Sequence, residues 1–304
     1  MKALAMRKRS VLIAGPTASG KTGLAIEIAR RVDGIIINAD ALQVYAKWRV
    51  LTARPSDEEL AQAPHVLYGH VAEQQDYSVG AWIRDVSEII DNTNKTPIII
   101  GGTGLYFGAL LNGLSEIPPI PPAIRDTGNA RRERDGAAWF RSHLQQFDPE
   151  SLAKLDQNNP ARLQRAWEVL EATGKGLAYW HARPTTPLVP HEETTTILLN
   201  WQVNDLNSRI NARFDAMMNS GAIEECEAAR AAGFAPALPA NRAIGAREII
   251  DALDGKITMQ EAVKKAKTLT HQYAKRQRTW FRSKMQNWQQ VHMPTSPDLS
   301  ALLR

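Results

Sequence analysis

The residues Gly15-Pro16-Thr17-Ala18-Ser19-Gly20-Lys21-Thr22 have the types and spacing of a phosphate-binding loop, G-x-x-x-x-G-K-[ST]. The glycines let the backbone fold so that successive N–H groups point inward at phosphate oxygens, and a helix N-terminus adds partial positive charge. Lys21 supplies a full charge for the outer phosphate, and the Thr22 hydroxyl is placed to ligate Mg²⁺. The loop predicts a diphosphate or triphosphate ligand but names no reaction, because hydrolases and kinases share it. Asp40 is the acid best placed beside it. That carboxylate could be a metal ligand, a substrate contact or a general base, and an acid at a strand end can also be a plain helix cap.

To act together, these residues need strands that end along one edge. Val11-Leu12-Ile13-Ala14 reads as a buried strand feeding the loop, and residues 21–31 as an amphipathic helix. Ile35-Ile36-Ile37 reads as a second strand ending at Asn38-Ala39-Asp40. Ser78 can cap a helix running to about Asn92, and Pro97-Ile98-Ile99-Ile100 reads as a third strand. That strand ends at Gly101-Gly102-Thr103, with no carboxylate where many NTPases keep a Mg²⁺ ligand, and Gly104 opens another apolar helix. Short apolar strands alternating with helices predict an α/β fold, a P-loop NTPase-like parallel sheet covered on both faces.

The pattern breaks at Ile117-Pro118-Pro119-Ile120-Pro121-Pro122, a stiff connector in which no regular element can continue. Residues 123–180 then read as helical and charged, a strand-like run returns at 194–199, and helices are expected to the end. The expected organisation is a core of residues 1–119 and 194–304, with a mostly helical insertion domain at 120–193 and a helical C-terminal region.

Composition narrows the function. The 304 residues carry a formal net charge of +5, with 43% hydrophobic and 23% charged residues, which excludes global disorder and suits a polyanionic partner. Cys226 is the single cysteine, so disulfides within the chain and cysteine zinc sites are excluded. No apolar run is long enough to span a membrane or to serve as a signal-peptide core, and a cytoplasmic protein is expected.

The last long helix carries its own signal. Thr258 and Glu261 form a capping box, and no Gly or Pro occurs from Lys256 through Met293. At helical spacing Lys264, Lys267, His271, Lys275, Arg278 and Arg282 share one face, with Ala266, Leu269, Tyr273 and Trp280 opposite. No acidic residue falls between Glu261 and Asp298. Solvated faces normally mix signs, so this stripe predicts contacts to nucleic-acid phosphates.

Several further segments, in order along the chain, carry a resemblance. They are Asp40-Ala41-Leu42-Gln43-Val44-Tyr45, Thr52-Ala53-Arg54-Pro55, Gly101-Gly102-Thr103-Gly104-Leu105-Tyr106, Asn159-Pro160-Ala161-Arg162-Leu163-Gln164-Arg165, Arg242-Ala243-Ile244-Gly245-Ala246-Arg247 and Lys275-Arg276-Gln277-Arg278-Thr279-Trp280-Phe281-Arg282. With the loop, the set resembles the tRNA dimethylallyltransferases, which modify the adenosine 3′ to the anticodon. Two positions depart from that pattern: Ala41 stands where the family usually has serine, and Arg54 where it commonly has lysine.

The resemblance implies transfer of a dimethylallyl group from dimethylallyl diphosphate to N6 of that adenosine, with pyrophosphate released and Mg²⁺ as cofactor. It implies Asp40 as general base, Thr103 and Arg125 beside the reacting centre, and Gly15 to Thr22 with Arg213 around the diphosphate. Arg209 is the alternative to Arg213, and either could be the polar face of a helix; Arg125 taken alone would read as a solvated charge. The segments Asp40–Gln43, Ala161–Arg165, Arg242–Arg247 and Lys275–Arg282 are implied to touch tRNA, with Gln43 reading the adenine edge. The insertion is implied to grip the anticodon stem while a flipped-out adenosine enters the core. A monomer is expected. Three other readings stand beside this one: an adenylate isopentenyltransferase acting on a free nucleotide, a small-molecule P-loop kinase, and a non-catalytic RNA-binding module. The long insertion and basic helix argue against the first, the strand ends against the second, and an intact phosphate loop against the third.

Overall fold

Six strands, Ser10–Ala14 (β1), Gly34–Asn38 (β2), His65–Val66 (β3), Thr96–Gly101 (β4), Thr194–Asn200 (β5) and Gln289–His292 (β6), form one sheet in the computed structural model, which describes residues 9–295 and 297–303. The order is β3-β2-β4-β1-β5-β6, and every pair is parallel. The central strands are runs of Val, Ile and Leu because both faces are covered, which β-branched side chains tolerate well. Register places Val11 opposite Ile98 and Thr195, so the loop after β1 and the turns after β2 and β4 open at one edge.

Alternation along the strands divides the core between the two faces. Leu12, Ile37, Ile99 and Leu198 point to one side, where they meet Trp82, Val86, Phe107, Leu110 and Phe281. Val11, Ile13, Ile36 and Ile98 point to the other, where Leu24, Ala25 and Ile28 cover them. Each fully buried large side chain contributes roughly 1.5–3 kcal/mol.

The helices are Lys21–Val32 (α1), Asp57–Leu60 (α2), Val79–Asn92 (α3), Gly104–Asn112 (α4), Pro122–Phe147 (α5), Pro149–Lys154 (α6), Pro160–Thr173 (α7), Leu177–His181 (α8), Val203–Met218 (α9), Ala222–Ala231 (α10), Ala246–Leu253 (α11), Met259–Lys284 (α12) and Leu299–Leu302 (α13). Ser78 and Thr258 cap α3 and α12 as their sequence positions predict, the latter within a full capping box. Helices α9 to α12 share a separate apolar cluster that includes Phe214, Cys226, Ile249 and Ala266. Burial pushes the Cys226 thiol up to about 12, so it is a neutral packing residue.

Two compact units result, one of residues 1–111 and 188–304 and one of residues 112–187. Both boundaries fall earlier than the expected 120 and 193. At the exit the reason is plain: Leu188 donates its amide to Leu110 O at 3.0 Å, and Val189 lies in the sheet core. The second unit is helical, as expected, and is built around Phe140, Leu144, Leu163 and Trp167. Its first helix, α5, bends at Gly136, which has φ 63 and ψ −151.

The expectation of helices alone after residue 199 is corrected by β6, an edge strand beside β5. Its sequence, Gln-Gln-Val-His, buries only Val291, so it lacks the apolar run by which an inner strand is recognised. The two-residue β3 is likewise too short to carry a periodic signal.

Candidate active site

The phosphate loop folds as its sequence requires. Ala18 and Gly20 adopt positive φ, 63° and 89°, and Gly20 caps α1 with no side-chain hydrogen bond. The first-turn amides of α1 are therefore left for an anion. Lys21 Nζ donates to Gly15 O at 3.0 Å and Pro16 O at 2.9 Å, folded back over the loop it would share with a phosphate.

Side chains from far along the chain hold this loop from outside. Trp201 Nε1 donates to Ser19 O at 3.0 Å, and Arg209 Nε to Ala18 O at 2.9 Å, with the Arg209 guanidinium stacked 4.6 Å from the Trp201 ring. Arg213 donates to Thr17 Oγ1. Arg209 and Arg213, offered by the sequence as alternatives, thus both reach the loop from one face of α9. Gln277 of α12 accepts the Thr17 amide at 2.8 Å and donates to Gly102 O at 3.0 Å. The absence of a side chain at Gly102 makes room for this contact, because a Cβ there would lie 2.1 Å from Gln277 Nε2 and push that amide aside.

Asp40 is fixed by its own turn. Its Oδ1 accepts the Leu42 amide at 2.9 Å and the Gln43 amide at 3.4 Å, while its amide donates to Asn38 Oδ1 at 2.9 Å. Thr103 Oγ1 accepts the Ala41 amide at 3.0 Å, which couples the end of β4 to the Asp40 turn and leaves the hydroxyl proton free to donate. The Ala41 backbone makes this contact, so the missing serine hydroxyl does not sever the link.

Two concave spaces meet at these residues. A polar cleft is lined by Thr17 to Gly23, Asp40, Gln43, Arg54, Arg209 and Arg213. An apolar pouch is lined by Leu42, Leu51, Ile210, Phe214, Met217, Ile244 and Tyr273. Thr17, Asp40, Thr52 and Arg213 line both. The site is therefore a charged groove opening into a hydrophobic pocket, with one carboxylate at the junction.

Its electrostatics favour an anion. Burial pulls Lys21 down to about 8, opposed by Asp40 and reinforced by Arg213. Burial also lowers Arg213 to about 10, again opposed by Asp40. Burial holds Tyr68, Tyr106 and Tyr273 protonated, and the Asp40 charge adds to the effect in each. Among the described residues no group of three or more His, Cys, Asp or Glu could hold a metal ion. Thr22 and Asp40 offer single oxygens in the cleft, a donor set that fits a hard divalent ion arriving with phosphate oxygens and water.

The segments expected to touch tRNA divide by burial. In the second unit Ala161, Arg162 and Arg165 are exposed, whereas Leu163 and Gln164 are buried, Gln164 donating to Asn129 Oδ1 at 2.9 Å and Glu168 Oε1 at 2.8 Å. Arg125 is exposed in the first turn of α5, and its charge lowers the pKa of Arg165 after the larger effect of burial. In the first unit Arg242 and Arg247 are exposed, Ala243, Gly245 and Ala246 are buried, and Ile244 lines the pouch.

On α12 the buried face is Ala262, Ala266, Thr270, Ala274, Gln277 and Phe281, with Leu269, Tyr273 and Trp280, on the side away from the basic stripe, only partly buried. The stripe is not uniformly free. Lys267 pairs with Asp215 at 2.6 Å, and His271 bonds Asn211 at 2.9 Å. Lys275, Arg276, Thr279 and Arg282 are exposed, and Arg278 and Trp280 partly so. Gln43, expected to read adenine, donates from its side-chain amide to Thr52 O at 2.8 Å and Ala53 O at 2.9 Å, so both donor hydrogens are engaged.

Residues 43–284 match the family model described as IPP transferase, and residues 8–69 match one described as isopentenyl transferase. The chain is 49% identical over 286 residues to a tRNA dimethylallyltransferase of Cereibacter sphaeroides, covering 94% of this chain and 90% of the relative. It is 51% identical over 281 residues to one of Dinoroseobacter shibae, covering 92% of this chain and 94% of the relative. The crystal structure of a full-length tRNA isopentenylpyrophosphate transferase from Bacillus halodurans superposes with a TM-score of 0.68 at 30% identity, covering 97% of this chain and 94% of that one. A eukaryotic dimethylallyltransferase acting on tRNA superposes with a TM-score of 0.80 at 25% identity, covering 94% of this chain and 74% of that one.

Proposed function

Because the chain belongs to the IPP transferase family, we propose that this tRNA prenyltransferase moves a dimethylallyl group from dimethylallyl diphosphate to N6 of the adenosine 3′ to the anticodon. One observation carries the reading beyond kinship: Asp40 stands where the phosphate cleft meets the apolar pouch. A phosphoryl-transfer enzyme has no use for a branched hydrocarbon pocket at its phosphate site, whereas an allylic diphosphate needs both.

In the proposed step the exocyclic nitrogen attacks C1 of the allyl group as the C1–O bond breaks, and pyrophosphate leaves with the electron pair. The amine proton passes to Asp40, whose backbone donors fix Oδ1 while the described residues supply no hydrogen bond to Oδ2. Lys21, Arg213 and the loop amides take up the charge that grows on the departing oxygens. Thr103, with its proton free, is suited to donate to the bridging oxygen. Thr22 would hold Mg²⁺, which adds further neutralisation of pyrophosphate when bound.

The exposed cations of α12, of α7 and at Arg242 and Arg247 suit the backbone of an anticodon stem-loop, and the target base must leave its stack to reach Asp40. No helix among the described residues is long and apolar enough to cross a membrane, and the protein is proposed to act as a monomer in the cytoplasm. Incubation with labelled dimethylallyl diphosphate and Mg²⁺, with tRNA or AMP as acceptor, tests the proposal. Label is expected on tRNA alone; label on AMP but not on tRNA overturns the acceptor assignment.

A further inference from the structure

Glu225, on α10, is not one of the residues that line the phosphate cleft or the apolar pouch, yet its carboxylate is engaged by the wall they share. One oxygen accepts the amides of Arg49 at 2.6 Å and Val50 at 2.8 Å, and the other accepts the amide of Leu51 at 3.1 Å. Three consecutive backbone N–H groups converging on one anion form a nest, which a neutral or shorter side chain cannot fill as well.

The same loop closes on itself beyond the nest. Thr52 Oγ1 donates to Trp48 O at 2.5 Å, the Arg54 amide donates to Arg49 O at 3.0 Å, and Ala53 takes a positive φ of 53°. This geometry aims the Thr52 and Ala53 carbonyls together at the Gln43 side-chain amide. Leu51 and Thr52 line the pouch, and Thr52, Ala53 and Arg54 line the cleft. The carboxylate thus sets the loop, the loop sets two carbonyls, and the carbonyls set the side chain of Gln43, three residues after Asp40.

We propose that Glu225 is a positioning residue for the acceptor base, acting through the 49–53 loop on Gln43. With both amide hydrogens held by carbonyls, Gln43 can present only its oxygen, which suits a group bearing an exocyclic N–H and disfavours a purine with an oxygen at that position. The phosphate loop itself is held by other residues, Trp201, Arg209, Arg213 and Gln277, so the amides and Lys21 that would take a pyrophosphate do not depend on Glu225 for their placement. The proposal rests on the prenyl-transfer reading for its acceptor.

The test compares Glu225→Ala and Glu225→Gln with the parent chain in three measurements: hydrogen exchange at the 49–51 amides, affinity for inorganic pyrophosphate, and kcat/KM for tRNA. The alanine variant is expected to lose protection at those amides and about tenfold or more in kcat/KM for tRNA, with pyrophosphate affinity unchanged within about twofold. The glutamine variant, which keeps one carbonyl acceptor, is expected to recover part of both losses. Unchanged protection, unchanged kcat/KM for tRNA, or an equal loss of pyrophosphate affinity would each overturn the role, and Glu225→Gln supplies these readings if the alanine variant fails to fold. A parent chain unable to prenylate tRNA would instead sink the underlying reaction, while the exchange measurement still reports on the nest.

Discussion

The Thr17 amide donates to Gln277 Oε1 across 2.8 Å, so one residue of the phosphate loop is hydrogen-bonded to the middle of a helix 260 positions later in the chain. The Nε2 end of the Gln277 side chain donates to Gly102 O, just past β4. Gln277 is 5% exposed and therefore works inside the protein, although it lies within a segment the sequence assigns to tRNA contact. Replacing it by alanine strands a buried donor and a buried acceptor, at a cost of about 1–3 kcal/mol for each group left unpaired. Gln277→Ala is expected to lower the melting temperature and weaken pyrophosphate binding, while tRNA binding by filter retention stays near the parent value.

Asp40 offers a cleaner separation of binding from chemistry. Asp40→Asn keeps an oxygen for the Leu42 and Gln43 amides but cannot take the amine proton. Turnover is expected to fall by roughly 10²–10⁴, with tRNA affinity preserved. Single-turnover transfer at parent rates would remove Asp40 from the role of base.

The depressed pKa of Lys21 makes donor binding pH-dependent in a defined direction. With a folded value of about 8 against the ordinary 10.5, the free protein binds fewer protons than the unfolded chain between those limits, so its stability rises with pH through that window. Pyrophosphate needs the protonated lysine, so the thermal shift it produces should be largest below pH 8 and shrink above it. Affinity is expected to fall about tenfold per pH unit once Lys21 titrates, until the higher pKa of the bound form is reached. A shift that stays constant from pH 7 to 9.5 would show that Lys21 does not contact the anion.

The basic stripe of α12 should divide by function. Lys275 is exposed, whereas Lys267 is paired with Asp215. Lys275→Ala is expected to weaken tRNA binding and reduce the slope of log affinity against log salt by about 0.7–0.9. Lys267→Ala should leave that slope unchanged, and titrations between 50 and 200 mM salt at roughly neutral pH distinguish the two.

Arg54 and Gly69 give a packing test. Gly69 has φ +61, and a Cβ there would lie 1.5 Å from Arg54 Nη1. Gly69→Ala is therefore expected to destabilise the protein by at least about 1 kcal/mol through backbone strain alone, and to displace Arg54 from the cleft. Gly69→Ala combined with Arg54→Ala should recover the packing part of the loss and not the strain.

How much of this was legible in the sequence follows from how local each signal is. The loop, Asp40, the strand ends and the helix caps are written in neighbouring residues, and the fold repeats them. Arg209 and Arg213 were visible only as two candidates, because the helix face that reaches the loop depends on how α9 docks. Gln277 and Glu225 carried no local signal at all. Each acts on backbone groups more than 170 positions away, and an isolated Gln or Glu on a helix reads as surface. The most buried side of α12 was not legible because it is mostly alanine and polar residues, which pack closely but contribute little hydrophobicity, while Tyr273 and Trp280 lie on its shoulders. The edge strand β6 escaped for the same reason.

The hydrogen bond from Leu188 to Leu110 closes the base of everything between them. To the sheet, those intervening residues are a loop already tied off, and the entropy of tying such a loop grows only with the logarithm of its length. Lengthening or shortening that stretch therefore costs the sheet little stability.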